Sequence, residues 1–519
     1  MSNITPYLST YLLSGNCYFQ GIRHPDIALY LRTKKEYYGE INCLNCHEIT
    51  SQLLIRMMIT EREVAEKIHT SALALLDDPG IRLEHDEICR LMLKAGAKKG
   101  RSARIIRLPE ALVQEVLALS PPEFVFADRK GEGAKTGPDT EAVIWSAPGM
   151  RIVEHQGERR FTSKDMASAA RLLHQLEHVD GIFGFAMDDV PPGACDVVGL
   201  RIMSEYTNKH IRVLCFTPRG AEMLVEMKKV VGDYPWFSVG FTAHGPLRWT
   251  NLALEIFSKT AGHGIPVTVN GEPMAGVSGP VTLAGSAAVG TAEILAGIAV
   301  NQLLEPGRPC VFNLGLAHTF DMRSSIAVTG GPENQLFAGI SAMMGRYYGI
   351  PSASWVSTES MCADAQASLE KMCGFLTQMQ AGVSNVWGVG QLESELSFSP
   401  TQAVIDNEII SYVKRYLMGV EVNENTLAVE LIREAGITGS FLDSSHTLEC
   451  FQNELFQPDI LNRDVRENWK TLGSRTLSRV AEEKAEMLMG KEVDNGLDER
   501  QVRELDALAS LFLKRLSEG

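Results

Sequence analysis

Paired cysteines are scarce in this sequence of 519 residues. The ten cysteines are scattered singly, apart from Cys43 and Cys46, which with His47 match the spacing of a c-type haem attachment site. A disulfide framework is therefore not expected, and a reducing cytosol is the favoured compartment. Haem attachment requires export, and the start of the chain lacks the basic region and apolar core of a signal peptide. We interpret this motif as chance, with haem or metal binding as the alternative.

The sequence also lacks an excess of positive charge. Its 49 lysines and arginines face 64 aspartates and glutamates, for a net charge of −15. This balance argues against non-specific binding to nucleic acids and against attraction to anionic membranes. The most apolar stretch, residues 283–300, contains Glu293 and many alanines and glycines. We therefore expect a buried helix there rather than a membrane span, and a cytoplasmic protein.

Motifs for nucleotide binding and for nucleophilic catalysis are missing as well. No G-x-G-x-x-G follows the first predicted strand, and no G-x-x-x-x-G-K-[ST] occurs. No Ser-His-Asp or Cys-His arrangement has a recognisable motif. The function must therefore be inferred from where polar residues fall in the predicted fold.

The chain divides by pattern into three parts. Residues 1–57 mix tyrosine, cysteine, asparagine and charges with little helical periodicity, and we interpret them as an extension of unclear structure. Residues 58–150 show helical patterns with a few β-like runs, which predict an N-terminal α-rich cap domain. Residues 151–519 alternate between apolar runs of strand length and helical patterns, and become polar and helical after residue 442.

Eight apolar runs in the third part have the length of strands. They are residues 182–186, 211–216, 237–241, 266–269, 310–314, 353–356, 383–387 and 439–442. Strands separated by helices indicate parallel β-α units, and eight is the number that closes a barrel. We predict an α/β fold, a (β/α)8 TIM-type barrel with the N-terminal cap and extra C-terminal helices. An open, doubly wound sheet is the alternative.

Polar residues follow these runs, at the end of the strands where barrel enzymes place their functional groups. The candidates are Asp189 after the first run, Glu272 after the fourth, His318 and Arg323 after the fifth, Glu359, Met361 and Asp364 after the sixth, and His446 after the eighth. Phe185, Trp355 and Trp387 are predicted at or near the same rim. Acids beside aromatic faces suit a quaternary ammonium, because each well-placed ring contributes roughly 0.5–2 kcal/mol. Core packing of the aromatics, and a metal site of Glu272, His318 and Asp364, are the alternatives.

Seven segments of the chain carry a family likeness. They are ERRFTSKDM near Glu158, GEPMAGVSGPVTLAGSAAVGTAEILAG from Gly271, EPGRPCVF from Glu305, FDMRSS at Phe320, TESMCADAQASLE at Thr358, GSFLDSSHTLE at Gly439 and ENWKTLGSRTLSRVAEE at Glu467. Together and in this order they resemble the trimethylamine methyltransferase superfamily. The likeness covers residues 58–519 and leaves residues 1–57 outside.

The resemblance implies a (β/α)8 barrel that moves a methyl group from a methylamine to the cobalt of a separate corrinoid protein. That protein docks its cofactor over the barrel mouth, so no tightly bound cofactor is expected on this chain. Members specific for trimethylamine carry pyrrolysine after the sixth strand, and the matching position here is Met361. Methionine has neither an electrophile nor acid–base capacity. The chain therefore resembles the non-pyrrolysine members, which look like methyltransferases of glycine betaine.

A quaternary amine suits such an enzyme, because its nitrogen is already positive and its leaving group is a neutral tertiary amine. We predict a methyltransferase that acts on glycine betaine or a similar amine, with a corrinoid protein as partner and a homo-oligomeric assembly. Met361, Glu359 and Glu272 are then the catalytic candidates. The substrate-binding candidates are Phe185, Asp189, His318, Arg323, Trp355, Trp387 and His446. A non-catalytic protein that binds or senses a small cation on the same barrel is the alternative.

Overall fold

The structure, a computed structural model, describes residues 46–155 and 157–518, with side chains from Glu61 onward. The chain divides into two compact units, residues 1–61 and residues 62–519. The first unit is described only from residue 46, where its backbone forms the start of a long helix. The side chains of Cys43, Cys46 and His47 lie outside this range, so the interpretation of their motif stays a prediction.

From residue 46 to the barrel, the described chain forms three helices and five short strands. The helices are α1 (Cys46–Asp77), α2 (Asp86–Lys94) and α3 (Glu110–Leu119), and the strands are β1 (Ile81–Leu83), β2 (Lys98–Lys99), β3 (Ile105–Arg107), β4 (Phe124–Ala127) and β5 (Gly133–Thr136). Helix α2 shows why these residues fold this way. His85 caps it by accepting a hydrogen bond from the backbone N–H of Ile88, and Ile88, Cys89 and Met92 form its buried face. The β4–β5 hairpin places Phe126 against Trp145 inside the barrel.

Sixteen further strands follow in chain order. They are β6 (Val143–Ser146), β7 (Arg151–Glu154), β8 (Gly157–Arg160), β9 (Gly181–Phe183), β10 (His210–Arg212), β11 (Phe237–Thr242), β12 (Arg248–Trp249), β13 (Val267–Asn270), β14 (Met274–Ala275), β15 (Cys310–Gly315), β16 (His318–Asp321), β17 (Ile326–Val328), β18 (Ser352–Trp355), β19 (Asn385–Val389), β20 (Gln391–Leu392) and β21 (Ser397–Phe398). Eight of them pair in parallel and close in the order β6, β9, β10, β11, β13, β15, β18, β19. The predicted (β/α)8 barrel is confirmed, and an open sheet is ruled out.

Two differences from the predicted strands concern the ends of the barrel. Its first strand is β6, whose residues lie in the segment 58–150 that we predicted to form the cap. The predicted eighth strand, residues 439–442, is wrong: this stretch forms turns and irregular backbone, and its side chains are exposed. The reason is that Phe441 and Leu442 find no barrel neighbour, because the chain has already left the barrel after β19. Strand β19 instead pairs with β6 and closes the barrel.

The helices that surround the barrel are α4 (Ser163–Gln175), α5 (Cys195–Tyr206), α6 (Pro218–Val231), α7 (Asn251–Thr260), α8 (Leu283–Leu304), α9 (Pro332–Tyr348), α10 (Ala365–Gln380) and α11 (Pro400–Leu417). Helix α4 begins at a capping box in which Thr162 and Asp165 satisfy each other's backbone N–H groups. Helix α8 is long and apolar enough to cross a membrane by length and composition. Its most apolar window is nevertheless 78% buried inside the structure, as expected for a core helix.

Additional small sheets flank the C-terminal ends of the barrel strands. Strands β14, β16 and β17 form one, and β20, β21, β7 and β8 form another. A third sheet joins β12, from a barrel loop, to β1, β3 and β2 of the preceding region. The chain ends with helices α12 (Glu424–Leu427), α13 (Val429–Ala435), α14 (Ser445–Glu454), α15 (Arg466–Thr471), α16 (Leu477–Met489) and α17 (Glu499–Glu518), of which α16 packs on α4 and α11, and α17 on α5 and α6.

Candidate active site

The inside of the barrel, called the lumen below, has an aromatic half. Trp145, Phe183, Trp355 and Trp387 form a cluster with Phe126 that is separate from the main core. Their neighbours Ile144, Ile182 and Val386 belong to the surrounding core, because successive side chains of a strand point to opposite faces. Strands β6, β9, β18 and β19 are adjacent in the barrel, so these rings share one wall. Phe183 stacks on Trp387 with ring centroids 5.1 Å apart.

The indole N–H groups of this wall are buried and lack partners. Among the described residues, none accepts a hydrogen bond from the Nε1 atoms of Trp145, Trp355 and Trp387. Buried N–H groups are usually paired, and an unpaired one costs free energy. Three such donors on one wall are therefore unusual for a buried part of the fold.

The opposite half of the lumen is polar and comes from strands β10, β11, β13 and β15. Asn313 donates a hydrogen bond to Asn270 (2.9 Å), and Asn270 donates one to Thr242 (3.2 Å). Arg212 donates from Nε to the hydroxyl of Thr268 (3.1 Å) and from Nη1 to a backbone carbonyl (2.6 Å). The lumen is thus amphipathic, with rings on one side and amides and a guanidinium on the other.

Arg212 is a buried cation without an acidic partner. It is 3% exposed, and its guanidinium carbon lies 5.1 Å from the centre of the Phe183 ring. No described carboxylate forms an ion pair with it, and its Nη2 atom makes no hydrogen bond in the described part of the chain. Burial lowers the pKa of Arg212 to about 9, which still leaves it charged at neutral pH. Such a group is a ready partner for a ligand anion.

Three carboxyl groups interact electrostatically at the open end of the barrel. Glu272 follows β13, Glu395 follows β20, and Glu293 lies on α8. Burial raises the pKa of Glu272 to about 7. Burial and the neighbouring Glu272 raise the pKa of Glu395 well above its ordinary value. Burial raises the pKa of Glu293 to about 7, although a hydrogen bond from the backbone N–H of Leu247 partly offsets this rise. Cations entering the mouth would find groups ready to ionise.

His318 and Glu359 lie at the same end of the barrel. His318 is buried, its Nδ1 atom lies 3.0 Å from the carbonyl oxygen of Leu316, and its ring centre is 6.5 Å from that of Trp355. Burial lowers the pKa of His318, so it is neutral at pH 7. Glu359 accepts hydrogen bonds from the backbone N–H groups of Thr329 (2.6 Å) and Gly330 (2.8 Å). Glu359 thereby ties the loop after β18 to the loop after β17.

Met361 lies in that loop between β18 and α10 and is 65% exposed. The loop ends at Asp364, which caps α10 by accepting from the backbone N–H of Ala367 (3.0 Å). Asp364 is therefore a helix cap and is not part of a metal site with Glu272 and His318. Over residues 61–155 and 157–518, no group of three His, Cys, Asp or Glu side chains is arranged to hold a metal ion.

Four predicted site residues lie away from the lumen. Phe185 packs in the main core, stacked on Phe161 at 4.5 Å. Asp189 accepts hydrogen bonds from the backbone (2.8 Å) and hydroxyl (2.6 Å) of Ser163, at the start of α4. The Arg323 side chain is 94% exposed. His446 lies on α14, where its Nε2 atom is 3.3 Å from the carbonyl oxygen of Asn425. It is away from the lumen because the barrel strand predicted before it does not form.

Sequence reasoning missed the residues that most distinguish the lumen. Arg212 lies inside a predicted apolar run, where its charge is the available signal, since a charged side chain in a buried strand needs an explanation. Trp145 was missed together with β6. Glu395 belongs to a stretch of three left-handed residues, with φ 53° at Glu393, 50° at Ser394 and 79° at Glu395. Glycine is the usual residue at positive φ, and because this stretch contains none, the turn was not predictable from the sequence.

The mouth also carries an apolar patch, called the rim below. It consists of Val277, Val281, Met322 and Ile326, which are 61%, 70%, 66% and 51% exposed. Val277 and Val281 lie between β14 and α8, Met322 follows β16, and Ile326 begins β17; Met322 and Val281 both approach Gly276. Contiguous exposed apolar groups at the edge of a site are typical of a surface that another molecule covers.

A family model and known proteins match most of this chain. The family model "Trimethylamine methyltransferase (MTTB)" matches residues 32–515. The trimethylamine methyltransferase MttB of Methanosarcina barkeri is 31% identical over 457 residues, 85% of this chain and 90% of that protein. The glycine betaine methyltransferase of Desulfitobacterium hafniense is 27% identical over 475 residues, 89% of this chain and 98% of that protein. The crystal structure of the Methanosarcina barkeri monomethylamine methyltransferase matches with a TM-score of 0.49 at 13% identity, over 82% of this chain and 87% of that one.

Proposed function

The chain belongs to the trimethylamine methyltransferase family, and on that premise we propose that it demethylates a quaternary amine bearing a carboxylate, such as glycine betaine. The methyl acceptor in this proposal is the cobalt of a separate corrinoid protein. Family membership supports methyl transfer in general. The more specific choice of substrate and acceptor is supported by the side chains of the lumen and the rim.

The observation that carries the substrate proposal is Arg212. A buried guanidinium without an acidic partner among the described residues is electrostatically incomplete, and a ligand carboxylate would complete it with charge-assisted hydrogen bonds. Trimethylamine and choline have no such group. Glycine betaine has one, two bonds away from its cationic nitrogen. The relative named as a glycine betaine methyltransferase aligns along nearly its whole length, which supports the same choice.

The aromatic half of the lumen suits the other end of this substrate. A trimethylammonium group is large, weakly hydrated and unable to donate strong hydrogen bonds, so ring faces hold it better than water does. Phe183 lies between the two halves, because it contacts both Arg212 and Trp387. Glu272 and Glu395 at the mouth add negative charge once they ionise. A zwitterion can therefore span the lumen with each end against a complementary wall.

The proposed methyl transfer requires no general acid or base. The leaving group is a neutral tertiary amine, so no proton moves when the methyl group is transferred. Bound to its partner protein, a Co(I) corrinoid would supply the nucleophile. The task of this chain is then to orient one methyl group toward the mouth and to exclude water. Met361, exposed beside the mouth, has no acid–base capacity and is compatible with such a reaction.

The rim supports docking of a macromolecule over the mouth. Val277, Val281, Met322 and Ile326 present apolar surface at the end of the barrel where the lumen opens. A corrinoid protein that places its flat cofactor over the lumen would cover this surface. The β4–β5 hairpin packs Phe126 against Trp145 and His210 at the other end of the barrel, so we place the entrance to the lumen at the mouth.

The test is product formation. Purified protein is incubated with glycine betaine and either cob(I)alamin or a reduced corrinoid protein, and dimethylglycine is measured by mass spectrometry. We expect dimethylglycine to form at a rate that depends on protein, with choline and carnitine as weaker substrates and trimethylamine inactive. Binding of glycine betaine without any dimethylglycine would favour a non-catalytic binding protein. If trimethylamine reacts faster than glycine betaine, the proposed substrate is wrong.

A further inference from the structure

The turn that carries Glu395 is strained and firmly held. Residues 393–396 connect β20 to β21 at the mouth, and three successive non-glycine residues in this turn have left-handed backbone. The backbone N–H of Glu393 donates to the carbonyl oxygen of Ser360 (2.9 Å), in the neighbouring loop after β18. Non-glycine residues in this conformation cost free energy and persist where the surrounding structure enforces them, commonly at functional sites. The fold thus keeps Glu395 at the mouth at a cost in stability.

The carboxyl group of Glu395 is left without a partner. Among the described residues, none forms an ion pair or a hydrogen bond with it, and the residue is half-buried near Glu272. The next carboxyl group, that of Glu293, is fully buried, and its Oε2 atom also lacks a hydrogen bond in the described part of the chain. Buried polar groups are normally satisfied. Carboxyl groups left open at the mouth are therefore available to a ligand.

Glu272 and Glu395 differ in how readily they ionise. Burial and the charge of Glu272 together raise the pKa of Glu395 well above its ordinary value, whereas the pKa of Glu272 is about 7. A cation at the mouth therefore ionises Glu272 first, and Glu395 keeps its proton. The substrate complex then contains one cationic nitrogen, one carboxylate to balance it and one protonated carboxyl group.

Methyl transfer changes the hydrogen bonding of the substrate nitrogen. A quaternary ammonium neither donates nor accepts a strong hydrogen bond, whereas the tertiary amine that remains has a basic lone pair. This lone pair points along the broken bond, toward the mouth, because displacement at the methyl carbon is in line. Aliphatic amines such as the lysine side chain hold a proton to about pH 10. The product therefore requires a proton at the end of the lumen where Glu395 lies.

We propose that Glu395 is the proton donor to the product amine once the methyl group has left. The O–H bond of the carboxyl group breaks, the nitrogen lone pair forms the new N–H bond, and the carboxylate keeps the electron pair of the broken bond. When dimethylglycine departs as an ammonium, Glu395 regains a proton from water, so each turnover consumes one proton. Protonation blocks the lone pair and prevents the amine from taking the methyl group back. This inference rests on the proposed demethylation.

Counting the protons released on binding tests this role. Glycine betaine and dimethylglycine both carry a cationic nitrogen at pH 8, but only dimethylglycine has an N–H group, which pairs with an ionised Glu395. Calorimetry of the wild-type protein in buffers of different ionisation enthalpy should therefore show about one more proton released by dimethylglycine than by glycine betaine. Glu395→Gln should abolish this difference, and Glu395→Asp should retain it. Glu393→Gln, in the same turn, is the matched control and should leave the difference unchanged.

Kinetics separate a proton donor from a residue that merely shapes the lumen. In a single turnover with cob(I)alamin, the loss of Co(I) absorbance reports methyl transfer, and Glu395→Gln should change the rate of this step less than about threefold. The steady-state rate should fall about tenfold or more, because the product amine must then take its proton from water. Glu395→Asp, which keeps a carboxyl group in the turn, should restore most of the steady-state rate.

The outcomes distinguish this role from the proposed function. Equal proton counts for the two ligands, in a wild-type protein that converts glycine betaine to dimethylglycine, would overturn the role of Glu395 and leave the proposed function intact. Equal losses in the single-turnover and steady-state rates of Glu395→Gln would overturn the role as well. A wild-type protein that forms no dimethylglycine would contradict both the proposed function and this inference.

Discussion

At the scale of single residues, Glu272 is the side chain through which we expect pH to change ligand binding at the candidate site. Its carboxyl group is drawn out of water near Glu395 and Glu293, and burial raises its pKa to about 7. A carboxyl group in this position is costly for the fold when ionised, and structures retain such groups where a ligand needs them. A cation in the mouth would favour the ionised form.

The affinity for a quaternary amine is expected to rise with pH. Below pH 6, Glu272 is protonated and must lose its proton when the cation binds, whereas above pH 8 it is already ionised. Between these limits the association constant for glycine betaine should increase about tenfold, because the ionised fraction of the Glu272 carboxyl group increases by about that factor. Calorimetry in two buffers of different ionisation enthalpy should detect proton release at pH 6 and none at pH 8.5. A pH-independent affinity would contradict this role.

The same carboxyl group predicts a stability effect. A carboxyl group whose pKa is raised in the folded state destabilises it as pH rises above the ordinary pKa, and this cost is complete above pH 7. Glu272→Gln should therefore raise the free energy of unfolding by about 1 kcal/mol at pH 8, with little change at pH 4. Glu486→Gln, at an exposed position on α16, is the matched control. Thermal melts at both pH values measure the difference, and equal effects at pH 4 and pH 8 would refute it.

Arg212 predicts substrate discrimination. Removing a buried charge-assisted contact costs about 2–3 kcal/mol, so Arg212→Met should lower kcat/KM for glycine betaine about 30- to 150-fold. Choline lacks the carboxylate, so its kcat/KM should change less than threefold. Arg219→Met, at an exposed position on α6, serves as the control. Equal losses for both substrates would mean that Arg212 supports the strand rather than the substrate.

At the scale of elements, successive side chains of each barrel strand point alternately into the lumen and into the surrounding core. The positions of these strands were partly predictable from the sequence. Seven of the eight barrel strands were predicted near their observed positions, because apolar runs of strand length separated by helices are a strong pattern. Strand β6 was missed, because it is isolated from that alternation by β7 and β8. Residues 439–442 were mistaken for a strand, because the exposed apolar residues Phe441 and Leu442 imitate a buried run.

A buried ion pair joins two of the outer helices to the barrel. Lys371 on α10 and Asp406 on α11 are fully buried, with Nζ and Oδ2 3.2 Å apart, and Asp406 also accepts from the backbone N–H of Gly390 (2.8 Å) after β19. Breaking such a pair leaves an uncompensated charge in the core. The pair therefore connects the loop that carries Glu395 to the helical layer.

Removal of one partner should be strongly destabilising. Lys371→Met is expected to lower the free energy of unfolding by about 3–5 kcal/mol, whereas Lys371→Met combined with Asp406→Leu should recover much of this loss. Lys229→Met, which removes an exposed pair with Glu226, should cost less than about 1 kcal/mol. Urea denaturation of the four proteins measures these differences. A double variant that is less stable than the single one would exclude this explanation.

At the scale of the whole molecule, the barrel closes by pairing its first strand with its last. Strand β6 comes from the segment before residue 150, and it contacts both β9 and β19. It also contributes Trp145 to the aromatic wall. The region from residue 62 to the end is one compact unit, so the cap and the barrel should unfold together. A division of this unit at residue 150 would open the barrel.

Truncation tests this dependence. A chain that begins at Arg62 retains all eight barrel strands and should melt cooperatively, as measured by circular dichroism and calorimetry. A chain that begins at Arg151 lacks β6, which leaves β9 and β19 as open edges and exposes the rings of Phe183 and Trp387. Because unpaired strand edges and large apolar surfaces promote aggregation, this shorter chain should be insoluble or should bind hydrophobic dyes. If it folds cooperatively and binds glycine betaine, strand β6 is dispensable, and the wall that holds the ammonium group must be built without Trp145.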